Sequence, residues 1–252
     1  MNKGLRDYID HLEKEMPAHV IRVKKEVSPE FEIPALLQKI ESRKKQPVLI
    51  FEKVRNLKGS ISKLPVIINL FGSRERLADA LGSTVQKLSL DYIAKEKPVP
   101  PVLVGKEKAG VKEVVGKGKA VDLFELPILT HHEMDLGPYL TAPSVWMKDP
   151  ETKWVNCAIL RIYVSGPNQL VVNFNPARHT QYIFQKYKKL GKAVPIVIVI
   201  GHHPAFYMGA QTKLLVDEPE IIGGIMGEPV PLCGCSWTGN YHKEGATTET
   251  PV

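Results

Sequence analysis

DPETKWVNCAILR (149–161) and, a dozen residues on, NFNPARH (173–179) carry the densest chemistry of this 252-residue chain. They bring Asn156, Arg161, Arg178 and His179 within about two dozen residues, in a frame that reads as two paired strands. An amide, two guanidiniums and an imidazole gathered together suit a phosphorylated, metal-linked ligand, because Arg pairs bidentately with phosphate oxygens. One tension is built in. Along a regular strand Asn156 and Arg161 point to opposite faces, since side chains alternate with period two. Both serve one ligand only if the strand bulges, as strands do beside active sites, or if the ligand wraps around its end.

Outward from that stretch the pattern is β-rich. WVNCAILRIYVS (154–165) and NQLVVNFNP (168–176) read as strands joined at Gly166-Pro167, a loop of hairpin length. TQYIFQKYKKLGK (180–192) is a helix with Tyr182 or Ile183, Tyr187 and Leu190 inward, stopped by Gly191. KAVPIVIVIG (192–201) is almost wholly apolar and reads as a buried strand. Upstream, KPVPPVLV (97–104) is a connector, and GVKEVVGKGKAVDLF (110–124) reads as the strand leading into this region.

The first hundred residues alternate helices and strands. Leu5, Tyr8, Ile9, Leu12 and Met16 keep helical spacing up to Pro17, and Ile33, Leu36, Leu37 and Ile40 mark a second helix. PVLIFEKV (47–54) and LPVIINLF (64–71) are strands around a Lys58-Gly59 turn. Ser73 is placed to cap a helix that Gly82 ends. The fold class expected is mixed α/β: an N-terminal α/β domain over 1–110, a β-rich domain over 111–232, and an atypical, disordered tail over 233–252.

Bulk composition is that of a globular protein, 43% hydrophobic and 24% charged, with no apolar run near the ~20 residues of a membrane span. The N-terminus lacks the apolar core of a signal peptide, so a cytoplasmic location is expected. Cys157, Cys233 and Cys235 cannot build a disulfide framework, and Cys233-x-Cys235 lacks the C-x-x-C spacing of common zinc sites. The net charge of +7 reads as dispersed surface lysine, because neither interleaved aromatics nor a nucleic-acid motif accompanies the basic runs. A basic interaction protein is the competing reading of that charge alone.

Asn156 and His179 with Glu218 would make an N/O ligand set for a divalent cation such as Mn²⁺ or Mg²⁺. Beyond this, LRDYIDHLEK (5–14), INLFGSRERLADALG (68–82), DLGPYLTAPSVWMKDPETKWVNCAILR (135–161), ARH (177–179) and VDEPEIIGGIMGEPV (216–230) follow one another in an order that resembles the UbiD family of decarboxylases. The resemblance implies a split-barrel flavin-binding domain and a carboxy-lyase that removes CO₂, reversibly, from an aromatic or α,β-unsaturated acid. It implies prenylated FMN, with Mn²⁺ and often K⁺ bridging its phosphate to the protein, and a flavin prenyltransferase as supplier. By position, Asn156, His179 and Glu218 would hold the metal. Thr141, Ala158, Ile159, Leu160 and Arg161 would contact the cofactor, with Asn173, Phe174 and Asn175 lining it and Arg178 by its phosphate. Arg161 would be the catalytic arginine that grips the substrate carboxylate. The turn at His202-His203 is expected near the flavin, and backbone carbonyls around Tyr207, Met208 and Gln211 near K⁺. The resemblance also implies a homo-oligomer, as in intact family members.

The same resemblance implies an acidic proton donor and a large C-terminal domain beyond the GEPV block. Here GEPVPL leads into CGCSWTGNYHKEGATTETPV, whose Glu244 and Glu249 lack that context. A tail of this kind is expected from a frameshift or early stop. Two further readings follow: a non-catalytic flavin-binding fragment, or one subunit of a split decarboxylase whose partner supplies the acid.

Overall fold

In the computed structural model the described residues are 4–214 and 216–234, together with the backbone of 241–242. The first unit opens with α1 (Leu5–Glu15), which Met16 ends just ahead of Pro17. β1 (Val20–Val27), α2 (Glu32–Glu41), β2 (Val48–Val54) and β3 (Val66–Ile68) follow. β1 and β2 are parallel with α2 as the crossover, β3 pairs antiparallel to β2, and the sheet order is β1-β2-β3. As the central strand, β2 is buried on both faces. Val48 and Ile50 meet Tyr8, Ile9 and Leu12 of α1, while Leu49 and Phe51 meet Ile33 of α2. β1 escaped the sequence reading because VIRVKKEV (20–27) carries four charged residues and buries only Val27 fully. Its charges lie along a sheet edge, where they discourage further pairing.

α3 (Arg74–Leu81) begins at Ser73, whose Oγ accepts the Arg76 N–H at 3.2 Å, and ends at Gly82 with φ +67°. Both caps are as the sequence predicts. α4 (Leu88–Lys95) leads to β4 (Val102–Val104). The strand expected over 110–124 does not form. Short 3₁₀ turns occupy Lys106–Lys108, Gly110–Lys112, Gly118–Ala120 and Leu123–Glu125 instead. Glycines at 110, 116 and 118 interrupt the apolar alternation there, and Gly118 takes φ +51°.

The second unit comprises β5 (Tyr139–Leu140), β6 (Ser144–Lys148), β7 (Val155–Ile159), β8 (Ile162–Gly166), β9 (Gln169–Val172), α5 (His179–Lys189), β10 (Ile196–Val199), α6 (Pro204–Gly209) and α7 (Glu218–Met226). The segment read as one strand over 154–165 is two, broken at Leu160-Arg161. β7 belongs to the sheet β10-β6-β7, and β8 to the sheet β5-β8-β9, both antiparallel. The expected hairpin at Gly166-Pro167 joins β8 to β9, and β7 pairs with β6 instead. Alternation across β6 then sets two cores. Trp146 packs with Phe206, Ile221 and Ile225 of α6 and α7, whereas Val145 and Met147 pack with Ile183 of α5. On α5 only Ile183 of the expected inward set is fully buried. Tyr187 is half-buried and hydrogen-bonds the Lys148 carbonyl, while Tyr182 and Leu190 are exposed.

α6 and α7 approach closely at Gly209, where an added Cβ would stand 2.7 Å from the Ile222 Cα. β11 (Pro231–Gly234) pairs parallel with β4 and antiparallel with β12 (Tyr241–His242). Strand β11 thus runs across position 233, where the sequence pattern breaks. Cys235, Glu244 and Glu249 lie outside the described residues. The fold is mixed α/β, with no closed barrel among the described residues.

Candidate functional site

Residues 154–157, at the start of β7, and residues 216–218, at the start of α7, are stitched together by three hydrogen bonds. Trp154 Nε1 donates to the Val216 carbonyl at 2.5 Å, the Val155 N–H to Asp217 Oδ1 at 2.8 Å, and the Cys157 N–H to Glu218 Oε2 at 2.5 Å. This fixes Glu218, the first residue of α7, against Asn156. Both are buried, Glu218 at 3% exposure and Asn156 at 2%. Burial pushes the Glu218 carboxyl up to about 8, against the opposing effect of the Cys157 N–H.

His179 opens α5 and completes the group. Its Nδ1 is 3.6 Å from Glu218 Oε1, and its ring meets Trp154 edge-on at 4.8 Å. One terminal atom of the Asn156 amide lies 3.1 Å from Glu218 Oε1, and the other 3.2 Å from the Cys157 nitrogen. With nitrogen toward Glu218, Asn156 closes the group by hydrogen bonds. With oxygen toward Glu218, two oxygens face each other beside an imidazole, a donor set of the kind hard divalent cations take. No trio of His, Cys, Asp or Glu converges elsewhere among the described residues either, so an Asn amide is needed to reach three ligands.

These residues line a cavity of about 610 Å³, together with Cys157, Ala158, Ile159, Leu160, Asn175 and Arg178. Its far wall brings Thr180, Gln211, Thr212 and Lys213, none of which the 149–179 motifs contain. Arg178 is the N-cap of α5 and makes no side-chain cap bond; its carbonyl accepts the Gln181 N–H at 3.1 Å, which leaves the His179 and Thr180 N–H groups for the cavity. Thr180 is wholly buried, and its Oγ1 has no hydrogen-bond partner. A helix N-terminus, a guanidinium, an ammonium and an orphan hydroxyl make a place for a phosphate. The residues thus fit a phosphate beside Arg178 and Thr180, and Asn156, His179 and Glu218 would fit a divalent cation.

Other expected residues sit elsewhere. Arg161, at the break between β7 and β8, pairs with Asp135 and lies over the ring of Tyr139. The break also removes the strict alternation that set Arg161 opposite Asn156. Thr141 lines a separate groove of about 840 Å³ with Phe31, Asn69, Phe71 and His131. Phe174 packs against Phe184 in the Ile183 core, and Asn173 is not among the residues lining the 610 Å³ cavity. His202 and His203 do not line it either. His202 Nε2 contacts Ser144 Oγ at 2.6 Å and its ring stacks on Phe206, while His203 Nδ1 accepts the Ala205 N–H to cap α6. Tyr207 and Met208 belong to α6 rather than a turn, and the Met208 carbonyl accepts the Tyr92 hydroxyl. Cys157 is a buried thiol, as its strand position predicts.

The family model described as the 3-octaprenyl-4-hydroxybenzoate carboxy-lyase N-terminal domain matches residues 9–95, and that of the Rift-related domain matches residues 102–246. The anhydromevalonate phosphate decarboxylase of Methanothermobacter thermautotrophicus is 33% identical over 218 residues, 86% of this chain and 47% of the relative. Among solved structures, the UbiD-class enzyme HmfF of Pelotomaculum thermopropionicum, in an evolved dimeric form with prFMN, superposes with a TM-score of 0.88. It shares 35% identity over 97% of this chain and 56% of its own. The vanillic acid decarboxylase of Sedimentibacter hydroxybenzoicus in closed form gives 0.86 at 29% identity, over 98% and 53%. This chain spans about half the length of these relatives. Two family models in tandem, covering most of the sequence, place the chain in the UbiD family of decarboxylases.

Proposed function

We propose that this chain forms the cofactor-holding half of a UbiD-type carboxy-lyase acting on an aromatic or α,β-unsaturated carboxylic acid. The observation that carries the reading is the 610 Å³ cavity, where Asn156, His179 and Glu218 meet beneath Arg178 and the N-terminus of α5. In this reading Asn156, His179 and Glu218 ligate Mn²⁺, and a carbonyl near Gln211 serves K⁺. Arg178, Thr180 and Lys213 hold the cofactor phosphate. Ala158, Ile159, Leu160 and Asn175 line its path toward Arg161. Thr141, Asn173 and Phe174 would join it only through a cofactor reaching beyond this cavity.

Bound prenylated FMN supplies the electron sink that loss of CO₂ requires. The chain's own share is orientation and charge. Buried Glu218 and Asn156 fix the phosphate end, and the exposed guanidinium of Arg161 takes the substrate carboxylate through paired N–H donors. Protonation of the product carbon needs a general acid. In the proposed intact enzyme a segment equivalent to the relatives' remaining half supplies it, and the homo-oligomer forms there too.

Co-expression with a flavin prenyltransferase, followed by a visible spectrum and metal analysis of the purified protein, tests the reading. A flavin band with stoichiometric Mn²⁺ is expected, and absence of both overturns it. Because the chain spans about half of each relative, a split enzyme is the second reading. It predicts an adjacent reading frame that encodes the half these relatives carry beyond the matched region, and fails where the neighbouring DNA holds none. A cytoplasmic setting suits both readings, and no helix among the described residues is long and apolar enough to cross a membrane.

A further inference from the structure

Arg161 is held from two sides. Its Nη2 lies 2.5 Å from Asp135 Oδ1, and its Cζ sits 3.9 Å from the centre of the Tyr139 ring. Asp135 is itself fixed. Its Oδ2 accepts the His132 N–H at 3.1 Å, and its own N–H donates to the His132 carbonyl at 3.0 Å. The Asp135 side chain is 8% exposed while that of Arg161 is 45% exposed. A carboxylate held by its own turn therefore grips one edge of the guanidinium, and the remaining donors stay open. Five N–H groups in a planar fork leave enough for a second carboxylate.

We propose that Asp135 is a positioning residue for the carboxylate grip of Arg161, orienting the guanidinium over Tyr139 and offsetting much of its charge. This rests on the reading above that Arg161 takes the substrate carboxylate. Offsetting matters because decarboxylation begins with a full negative charge on the leaving group and disperses it as the C–C bond breaks. An uncompensated guanidinium would hold the starting carboxylate more tightly than the transition state, which slows the reaction. A resident carboxylate keeps the geometry and trims the surplus attraction. Asp135 is not the proton donor. The hydrogen bond from Arg161 holds its carboxyl below the usual range, so it is ionised at neutral pH.

Benzoate, with benzamide as the uncharged control, tests this on the purified chain by calorimetric or ligand-observed NMR titration. Asp135→Asn should bind benzoate about tenfold more tightly than wild type, the scale of removing one like-charged neighbour. Asp135→Glu, which restores the charge, should return to within about twofold of wild type, and Arg161→Gln should lose binding. A purely structural Asp135 would not make any variant bind more tightly. Asn keeps an acceptor for the His132 N–H. Should it still misfold, Asp135→Ser carries the same expectation. If Arg161→Gln loses benzoate while Asp135→Asn binds it no better than wild type, the positioning role is overturned and the carboxylate reading stands. If Arg161→Gln binds as wild type does, or if wild type and Asp135→Asn both fail to bind, both fall.

Discussion

Glu218 joins two functions in one carboxylate: one oxygen holds the Cys157 N–H, and the other faces His179 and Asn156. Gln can still accept from Cys157 but lacks the negative charge that a carboxylate brings to a divalent cation. Glu218→Gln should therefore change the stability of the metal-free protein by no more than about 1 kcal/mol, yet abolish any rise in Tm on adding MnCl₂. Melting curves with and without the metal decide it, and a retained Mn²⁺ shift would remove Glu218 from the ligand set. At the phosphate end, Arg178→Ala should weaken FMN binding roughly 10- to 100-fold, the range of a lost charged hydrogen bond. Flavin fluorescence titration measures this, and unchanged affinity would count against the phosphate assignment. Asn156, Arg178, His179 and Glu218 were legible in the sequence because they sit in short, chemically dense motifs. Thr180 and Lys213 were not. Thr180 gains meaning only as a buried hydroxyl without a partner, and Lys213 only because the turn after α6 brings it to the cavity.

Elements whose signals are local were read correctly: Ser73 and Gly82 at the ends of α3, Pro17 after α1, and the apolar centre of β10. Those decided by partners were not. The run 154–165 has unbroken strand composition, and only its pairing to two different neighbours divides it at Leu160-Arg161. The glycine-rich 110–124 stretch has apolar residues but pairs with no strand among the described residues. The connection from β6 to β7 shows how a loop can be held from outside. Burial alone would raise the Asp149 carboxyl, but the hydrogen bond from Lys186 and those from the Thr152 and Glu151 N–H groups outweigh it and hold it below the usual range. A lowered carboxyl contributes stability above its unfolded value, about 3.9, and loses that contribution as pH falls through the folded value. Asp149→Asn should accordingly melt well below wild type at pH 7, with the gap closing below about pH 4. A gap that stays constant down to pH 3 in paired melting curves would deny the Asp149–Lys186 link its role.

Across the whole molecule, apolar side chains remain uncovered at several places. Leu90 and Ile93 share one face of α4 and are 70% and 66% exposed, and Leu103 on β4 is 62% exposed. Such faces promote self-association. Leu90→Glu with Ile93→Glu should reduce concentration-dependent association while shifting stability by only about 0.5 kcal/mol per site. Light scattering across a dilution series checks the first part and thermal melting the second. Association that persists undiminished would place the sticky surface elsewhere. The pairing of β4 with β11 has a consequence in time as well as space. Val102 meets Pro231 across about 130 residues of chain. At a synthesis rate of about 5–20 residues per second, β4 leaves the ribosome some 6 to 26 seconds before its partner exists. Through that interval the strand has no parallel neighbour to dock on, so closure of this sheet belongs among the last events of folding, and a nascent chain stalled between the two strands is the species most in need of a chaperone.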